Sequence, residues 1–206
     1  MTYQGIPGAI TAASKLCGVD IAHYAEVDFD GLSSVVDSIG GVDVEIDSRI
    51  DDPKAGDIVI EPGMQHLDGA AALVFARTRH YADGDYTRVR HQRELISAIV
   101  QKMRGMPITD LLAALQASAS AVHTDMKLAD LVALARAMQN TEDDLSVYSA
   151  TLPSTTGMIG RASYVFADTA GVKRMMAAVD AGDDPAQTAQ ARSAQPAPAQ
   201  QTVEDD

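Results

Sequence analysis

Apolar and polar positions alternate most cleanly at residues 42–47, where Val42, Val44 and Ile46 are interleaved with Asp43, Glu45 and Asp47. A period of two marks a strand with one buried face. Shorter alternations predict strands at 21–29 (Val27, Phe29), around Ile58 and Ile60, at 145–149 (Leu145, Val147, Ser149) and at 164–166. Helical spacing predicts helices over 6–16, from Asp30 through Val36, from Asp68 through Phe75, over 86–103, 109–117 and 128–138, and from Asp168 through Val179. Asp30, Asp68 and Asp168 stand where N-caps belong, and Gly18 and the Gly40-Gly41 pair stand where helices stop. Residues 77–86 are polar and loop-like, with a turn at Asp83-Gly84. Helices interleaved with strands imply a layered α/β domain.

From about Asp180 the apolar periodicity vanishes, and Ala, Gln, Pro, Ser and Asp dominate. Such composition buries too little surface to offset chain entropy. Residues 1–180 are therefore expected to form the domain and 181–206 a disordered tail.

Of the 206 residues, 46% are hydrophobic and 22% charged, ordinary globular usage for one domain with a core. The net charge of −13 argues against a general nucleic-acid binder, which needs a basic face. The single cysteine, Cys17, permits no internal disulfide and reads as a small apolar helix residue. No apolar run is long enough to cross a membrane, and no secretory leader opens the chain. The chain is expected to be soluble, or else a part of something anchored.

Against this acidic background, seven of the sixteen Lys and Arg residues fall between Arg77 and Arg104: Arg77, Arg79, Arg88, Arg90, Arg93, Lys102 and Arg104. At 100° per residue, Asp85, Arg88 and Gln92 share a side of the long helix with Leu95, Ile96, Ile99 and Met103, while Arg90, Ser97 and Gln101 turn to solvent. Arg88 and Gln92 thus point inward from the helix start, where Asp85 serves as N-cap. Inward-facing polar groups need partners or a cleft. One reading pairs Arg88 with Asp85 and Gln92 with backbone. The other is an anion pocket. In an extended segment, Arg77 and Arg79 project to one side, and three guanidiniums converging on one place suit phosphate oxygens. For His80 and His91, solvated or loop roles are favoured over metal ligation, since no second ligand stands at usual spacing. Asp51 and Asp52, ahead of Pro53-Lys54, read as a turn and not a metal site.

The blocks FDGLSSVVDSIGGVDVEID, PGMQHLDGAAALVFARTRH and GDYTRVRHQREL carry these features. In order, they resemble the LytR-CpsA-Psr family of cell-wall glycopolymer transferases, with weaker likeness from Gly5 to Val179. IDDPKAG looks like the actinobacterial members. The resemblance implies a layered α-β-α domain with a central mixed sheet and a hydrophobic channel for a polyprenyl chain. It implies transfer of a glycopolymer from a polyprenyl-pyrophosphate carrier to peptidoglycan, outside the cell, by a domain anchored through an N-terminal transmembrane helix and assisted by Mg2+. By motif position, Arg77 and Arg79 match the paired arginines, Arg88 and Gln92 the pyrophosphate contacts, and Asp85 the accompanying acid. Arg90 has no role in the pattern. Apolar residues such as Leu73, Phe75, Val89, Ile96 and Val100 are candidates for the channel as well as for ordinary core. Met1 enters near the middle of the family pattern, so the early strands and the acidic Mg2+ ligands are expected upstream. That leaves a non-catalytic polyprenyl-pyrophosphate-binding remnant, or a wall-associated binding module, as the alternative to a transferase.

Overall fold

The computed structural model describes residues 5–79, 81, 85–139 and 148–190, with only the backbone of residues 85 and 188–190. The chain divides into two units, Ala22–Val147 and Met1–Ile21 with Tyr148–Asp206.

In the Ala22–Val147 unit the order is β1 (Ala25–Val27), α1 (Phe29–Ser38), β2 (Val42–Ile46), β3 (Gly63–Leu67), α2 (Gly69–Arg77), α3 (Asp85–Gly105), α4 (Ile108–Ala117), β4 (Val122–Thr124) and α5 (Leu128–Gln139). β2 pairs antiparallel with β3, from Val42 opposite Leu67 to Ile46 opposite Gly63, and β1 pairs antiparallel with β4. Val42, Val44 and Ile46 are buried, and Asp43 and Glu45 face out. With Val36, Leu67, Ala72, Val74, Phe75 and Leu95 they form the core. Fully burying each of the larger of these side chains contributes about 1.5–3 kcal/mol.

The caps follow from local chemistry. Asp68 Oδ1 accepts from Ala71 N at 2.8 Å and starts α2. Helix α1 ends on paired glycines, Gly40 at φ 75° and Gly41 at φ 80°. Gly40 N donates to Asp37 O and Gly41 N to Val36 O, at 3.0 and 2.9 Å, which satisfies two carbonyls at the helix end.

The other unit holds a helix at Gly5–Cys17, an antiparallel hairpin of Ser154–Ile159 with Ala162–Ala167, and helices at Thr169–Ala181 and Pro185–Gln190. On the Thr169–Ala181 helix, Val172, Met175 and Ala178 are buried.

The α/β class is as expected, and the named strands pair as three two-stranded antiparallel ladders. Several local expectations need correction. The strand expected over 21–29 is confined to Ala25–Val27, because Asp28, not Asp30, is the cap: its Oδ1 takes Gly31 N at 2.7 Å, and Phe29 is already helical. Ile60 forms one bridge with Ile50 in place of a strand. β3, β4 and Ser154–Ile159 are strands whose sequences lack the clean apolar alternation that predicts one. The tail expected to be disordered from 181 contains the helix Pro185–Gln190, where Asp184 caps by accepting from Ala186 N at 2.9 Å and proline suits the first helical position. Residues 191–206 lie outside the described residues, as do Leu145 and Val147 of the expected late strand.

Gly69 sits where α2 meets α1. A Cβ there would lie 2.3 Å from Ser33 O and 2.5 Å from Ser33 Oγ. Gly69→Ala is therefore expected to destabilise by about 2–3 kcal/mol. At Gly105 a Cβ meets nothing within 4 Å, so Gly105→Ala should be neutral or stabilising by up to roughly 1 kcal/mol. Urea unfolding of both variants checks the contrast.

Candidate functional site

Helix α2 ends at Arg77, and Thr78 continues extended at φ −57°, ψ 137°. Thr78 is 1% exposed and points inward. Its neighbours on either side, Arg77 and Arg79, both line a cavity of about 530 Å³ with Phe29, Asp52, Lys54, Ala76, Arg88 and Gln92. Arg77 is still helical, so the extended segment expected to carry both arginines begins only at Thr78; the exit of the chain from α2 nonetheless puts Arg77 and Arg79 beside Arg88 and Gln92. Lys54 makes a fourth cation, against one carboxylate, Asp52, among the described residues.

Two of the cations sit on helices, Arg77 at the end of α2 and Arg88 in α3. Arg77 Cζ lies 5.0 Å from the centroid of the Phe29 ring, a cation–π contact that ties the end of α2 to the start of α1. Gln92 Nε2 donates to Ala76 O at 3.2 Å, joining α3 to α2. The backbone partner expected for Gln92 is present, and Gln92 lines the cavity as well. Asp85 opens α3, but its side chain lies outside the described residues, so neither its cap nor its partners are described.

The helix-face reading needs a rotation. The buried stripe on α3 is Thr87, His91 and Leu95. Arg88 and Gln92 flank it, and Ile96, expected to face the core, is 59% exposed. His91 is buried, stacked on Phe75 with ring centroids 4.2 Å apart, and its Nδ1 lies 3.2 Å from Phe75 O. The solvated role expected for it is therefore corrected: a helix packed on two neighbours buries an arc centred one position from the purely apolar estimate. His80 lies outside the described residues. Arg90 turns away from the cavity, as expected, but it is not merely solvated. It pairs with Asp47 on β2's end and lies 3.7 Å from Glu94. The hydrogen bond from Arg90 holds the Asp47 carboxyl below the usual carboxylate range, and burial pushes Glu94 up.

Asp52 and Lys54 line the cavity although the sequence marks them only as part of a turn, in the IDDPKAG stretch. The turn does form, since Asp52 Oδ1 accepts from Lys54 N at 3.1 Å. The same carboxylate also reaches 26 and 27 residues onward, taking the Thr78 hydroxyl at 3.2 Å and Arg79 N at 3.1 Å through Oδ2.

A second, apolar cavity of about 640 Å³ is lined by Val35, Ile39, Met103, Leu115, Val122 and Leu131, among others. None of Leu73, Phe75, Val89, Ile96 and Val100 lines it. Phe75 belongs to the core. Among the described residues no group of three or more His, Cys, Asp or Glu could hold a metal ion. Asp52, the one carboxylate at the polar cavity among them, has its oxygens engaged by the donors just named. No helix among the described residues is long and apolar enough to cross a membrane.

A model of the LytR_cpsA_psr family matches residues 1–180. The chain is 46% identical over 97 residues to the probable cell wall biosynthesis protein LcpB of Corynebacterium glutamicum, covering 47% of this chain and 23% of that protein. It is 33% identical over 90 residues to the polyisoprenyl-teichoic acid–peptidoglycan teichoic acid transferase TagV of Bacillus subtilis, covering 41% of this chain and 23% of that protein. The chain thus spans less than a quarter of either relative's length. Its fold superposes on TagT bound to LIIa-WTA with a TM-score of 0.73 at 22% identity, covering 87% of this chain and 68% of that one.

The Arg90–Asp47 pair is exposed, with side chains 40% and 63% accessible, so Arg90→Ala is expected to cost only about 0–1 kcal/mol near neutral pH. Because Asp47 has its carboxyl held low in the folded state, this contribution is present above the ordinary carboxylate range. It fades as pH falls through the lowered value. Urea unfolding of wild type and Arg90→Ala across acid pH should show the difference shrinking on acidification.

Proposed function

The chain belongs to the LytR_cpsA_psr family, and from that membership we propose that it binds a polyprenyl-pyrophosphate-linked glycopolymer and takes part in its transfer to peptidoglycan, as a phosphotransferase of cell-wall assembly. The observation that carries this reading is the convergence of Arg77, Arg79, Arg88 and Gln92 on one cavity in a chain of net charge −13. Guanidiniums present planar forks that match phosphate oxygens.

In the proposed reaction a peptidoglycan hydroxyl attacks the glycan-linked phosphorus. A new P–O bond forms to the wall, the bond from that phosphorus to the bridging oxygen breaks, and polyprenyl phosphate leaves carrying the electron pair. Such transfer depends on positioning and charge neutralisation. Arg77, Arg79 and Arg88 hold the pyrophosphate and stabilise charge on the leaving phosphate. Gln92 adds an amide donor, fixed by its bond to Ala76 O. Asp85 is the acid assigned either to orienting an arginine or to accepting the hydroxyl proton.

The apolar cavity supports the lipid half of the reading. Helix α3 carries Arg88 and Gln92 on the polar cavity and Met103 on the apolar one. Fifteen residues of helix separate Arg88 from Met103, about 22 Å. One rigid element therefore borders both the polar site and a space for an apolar chain. On this reading the domain works at the outer face of the cytoplasmic membrane, where both lipid carrier and peptidoglycan lie. The names of the relatives point the same way: TagV is a teichoic acid transferase, and TagT is seen with LIIa-WTA.

Calorimetric titration with a polyprenyl pyrophosphate tests the reading. Arg88→Ala should lose about 2–4 kcal/mol of binding, the cost of one charged contact in a partly desolvated site. Arg90→Ala, on the other side of α3, should lose roughly 0–0.5 kcal/mol. Equal losses in two folded variants would sink the assignment.

A further inference from the structure

Asp52 lies in the wall of the polar cavity, where a carboxylate is out of place if the cavity serves only to attract an anion. Fixed negative charge beside a phosphate lowers its affinity through simple repulsion. Asp52 is nevertheless buried, 6% exposed, and it bridges the two chain segments that carry cavity cations. Its Oδ1 accepts from Lys54 N at 3.1 Å. Its Oδ2 accepts from the Thr78 hydroxyl at 3.2 Å and from Arg79 N at 3.1 Å. Its own carbonyl takes Ala55 N and Gly56 N, at 2.8 and 3.2 Å, which closes the turn beneath Lys54.

Helix α2 stops at Arg77, and Thr78 N makes the last helical bond, to Val74 O at 3.0 Å. Beyond it the chain is extended, and an extended segment off a helix end has no helical ladder to set its direction. The Asp52 carboxylate supplies that direction by receiving Thr78 and Arg79 together. It does the same for Lys54 on the opposite segment.

We propose that Asp52 is a positioning residue for the anion site: its carboxylate holds the backbone of Arg79 and of Lys54 so that both cations address the phosphates. The inference rests on the pyrophosphate reading above and deepens it. Asp52 need not touch the ligand. Its negative charge is tolerated because the preorganisation of two cations outweighs the repulsion from one carboxylate.

The sign of one substitution separates positioning from plain electrostatics. Asp52→Asn removes the charge but replaces an acceptor oxygen with an NH2 group, which faces donors it cannot serve. If Asp52 acted only through its charge, affinity for a pyrophosphate would rise. The positioning role requires it to fall, by about tenfold or more. The probe is farnesyl pyrophosphate, titrated into the whole chain by calorimetry, with folding verified by circular dichroism. In an Arg79→Ala background, Asp52→Asn should lose part of its effect, because Arg79 is one of the two groups it positions. Thr78→Val removes one donor to the carboxylate and no charge, and serves if Asp52→Asn does not fold. It should weaken binding about threefold. Arg88→Ala tests the underlying site: if it leaves binding unchanged, the pyrophosphate reading falls and this inference with it. If Arg88→Ala weakens binding while Asp52→Asn strengthens it or leaves it unchanged, the positioning role alone is overturned. That role is overturned as well if the Asp52→Asn loss persists in full without Arg79, or if Thr78→Val binds as wild type does.

Discussion

Helices α1 and α2 meet where Gly69 has no side chain. Asp37, near the end of α1, accepts the Gly69 N–H at 2.7 Å, and any Cβ at residue 69 would collide with Ser33. This close approach serves several parts of the unit at once. It satisfies an orphan donor in the first turn of α2 beside the Asp68 cap. It fixes the direction of α2 against α1, with Val36, Ala72 and Phe75 buried. It also decides where α2 ends. A nine-residue helix whose start is pinned delivers Arg77 to one place, and Phe29 at the start of α1 is there to receive it.

The polar cavity is then built by helix ends and a turn, each held by a bond remote from the cations themselves. Gln92 ties α3 to the last turn of α2, and Asp52 ties the 52–56 turn to Thr78 and Arg79. Cations on restrained backbones cost little reorganisation when an anion arrives, which is where electrostatic sites draw their strength. A net charge of −13 spread over the chain does not undo a local cluster, since exposed charges beyond about 8–10 Å are screened at ordinary ionic strength.

Part of this was legible in the sequence because it depends on local rules. The Val42–Ile46 strand, the Asp68 and Asp168 caps, the Gly40-Gly41 stop and the long helix all follow from periodicity and from the conformational freedom of glycine. Arg77 and Arg79 line one cavity although Arg77 is still helical and only Thr78 between them is extended, so the strand repeat accounts for this only in part. Arg88 and Gln92 lying apart from Arg90 follows from the 100° helical step.

What the sequence could not decide depends on partners distant along the chain. The strand Gly63–Leu67 carries Gly, Gln and His where apolar alternation was wanted, and it is a strand because β2 offers it a ladder. His91 looked polar and loop-like, yet Phe75, sixteen residues back, gives its ring a stacking partner and its Nδ1 a carbonyl. Asp52 read as a turn residue, which is true of one oxygen. The other binds a segment more than twenty-five residues later. Local sequence fixes dihedral preference and face, because those are set within a turn or two of chain. Which buried polar group meets which donor is set by tertiary packing, and at this cavity that pairing aims the charges.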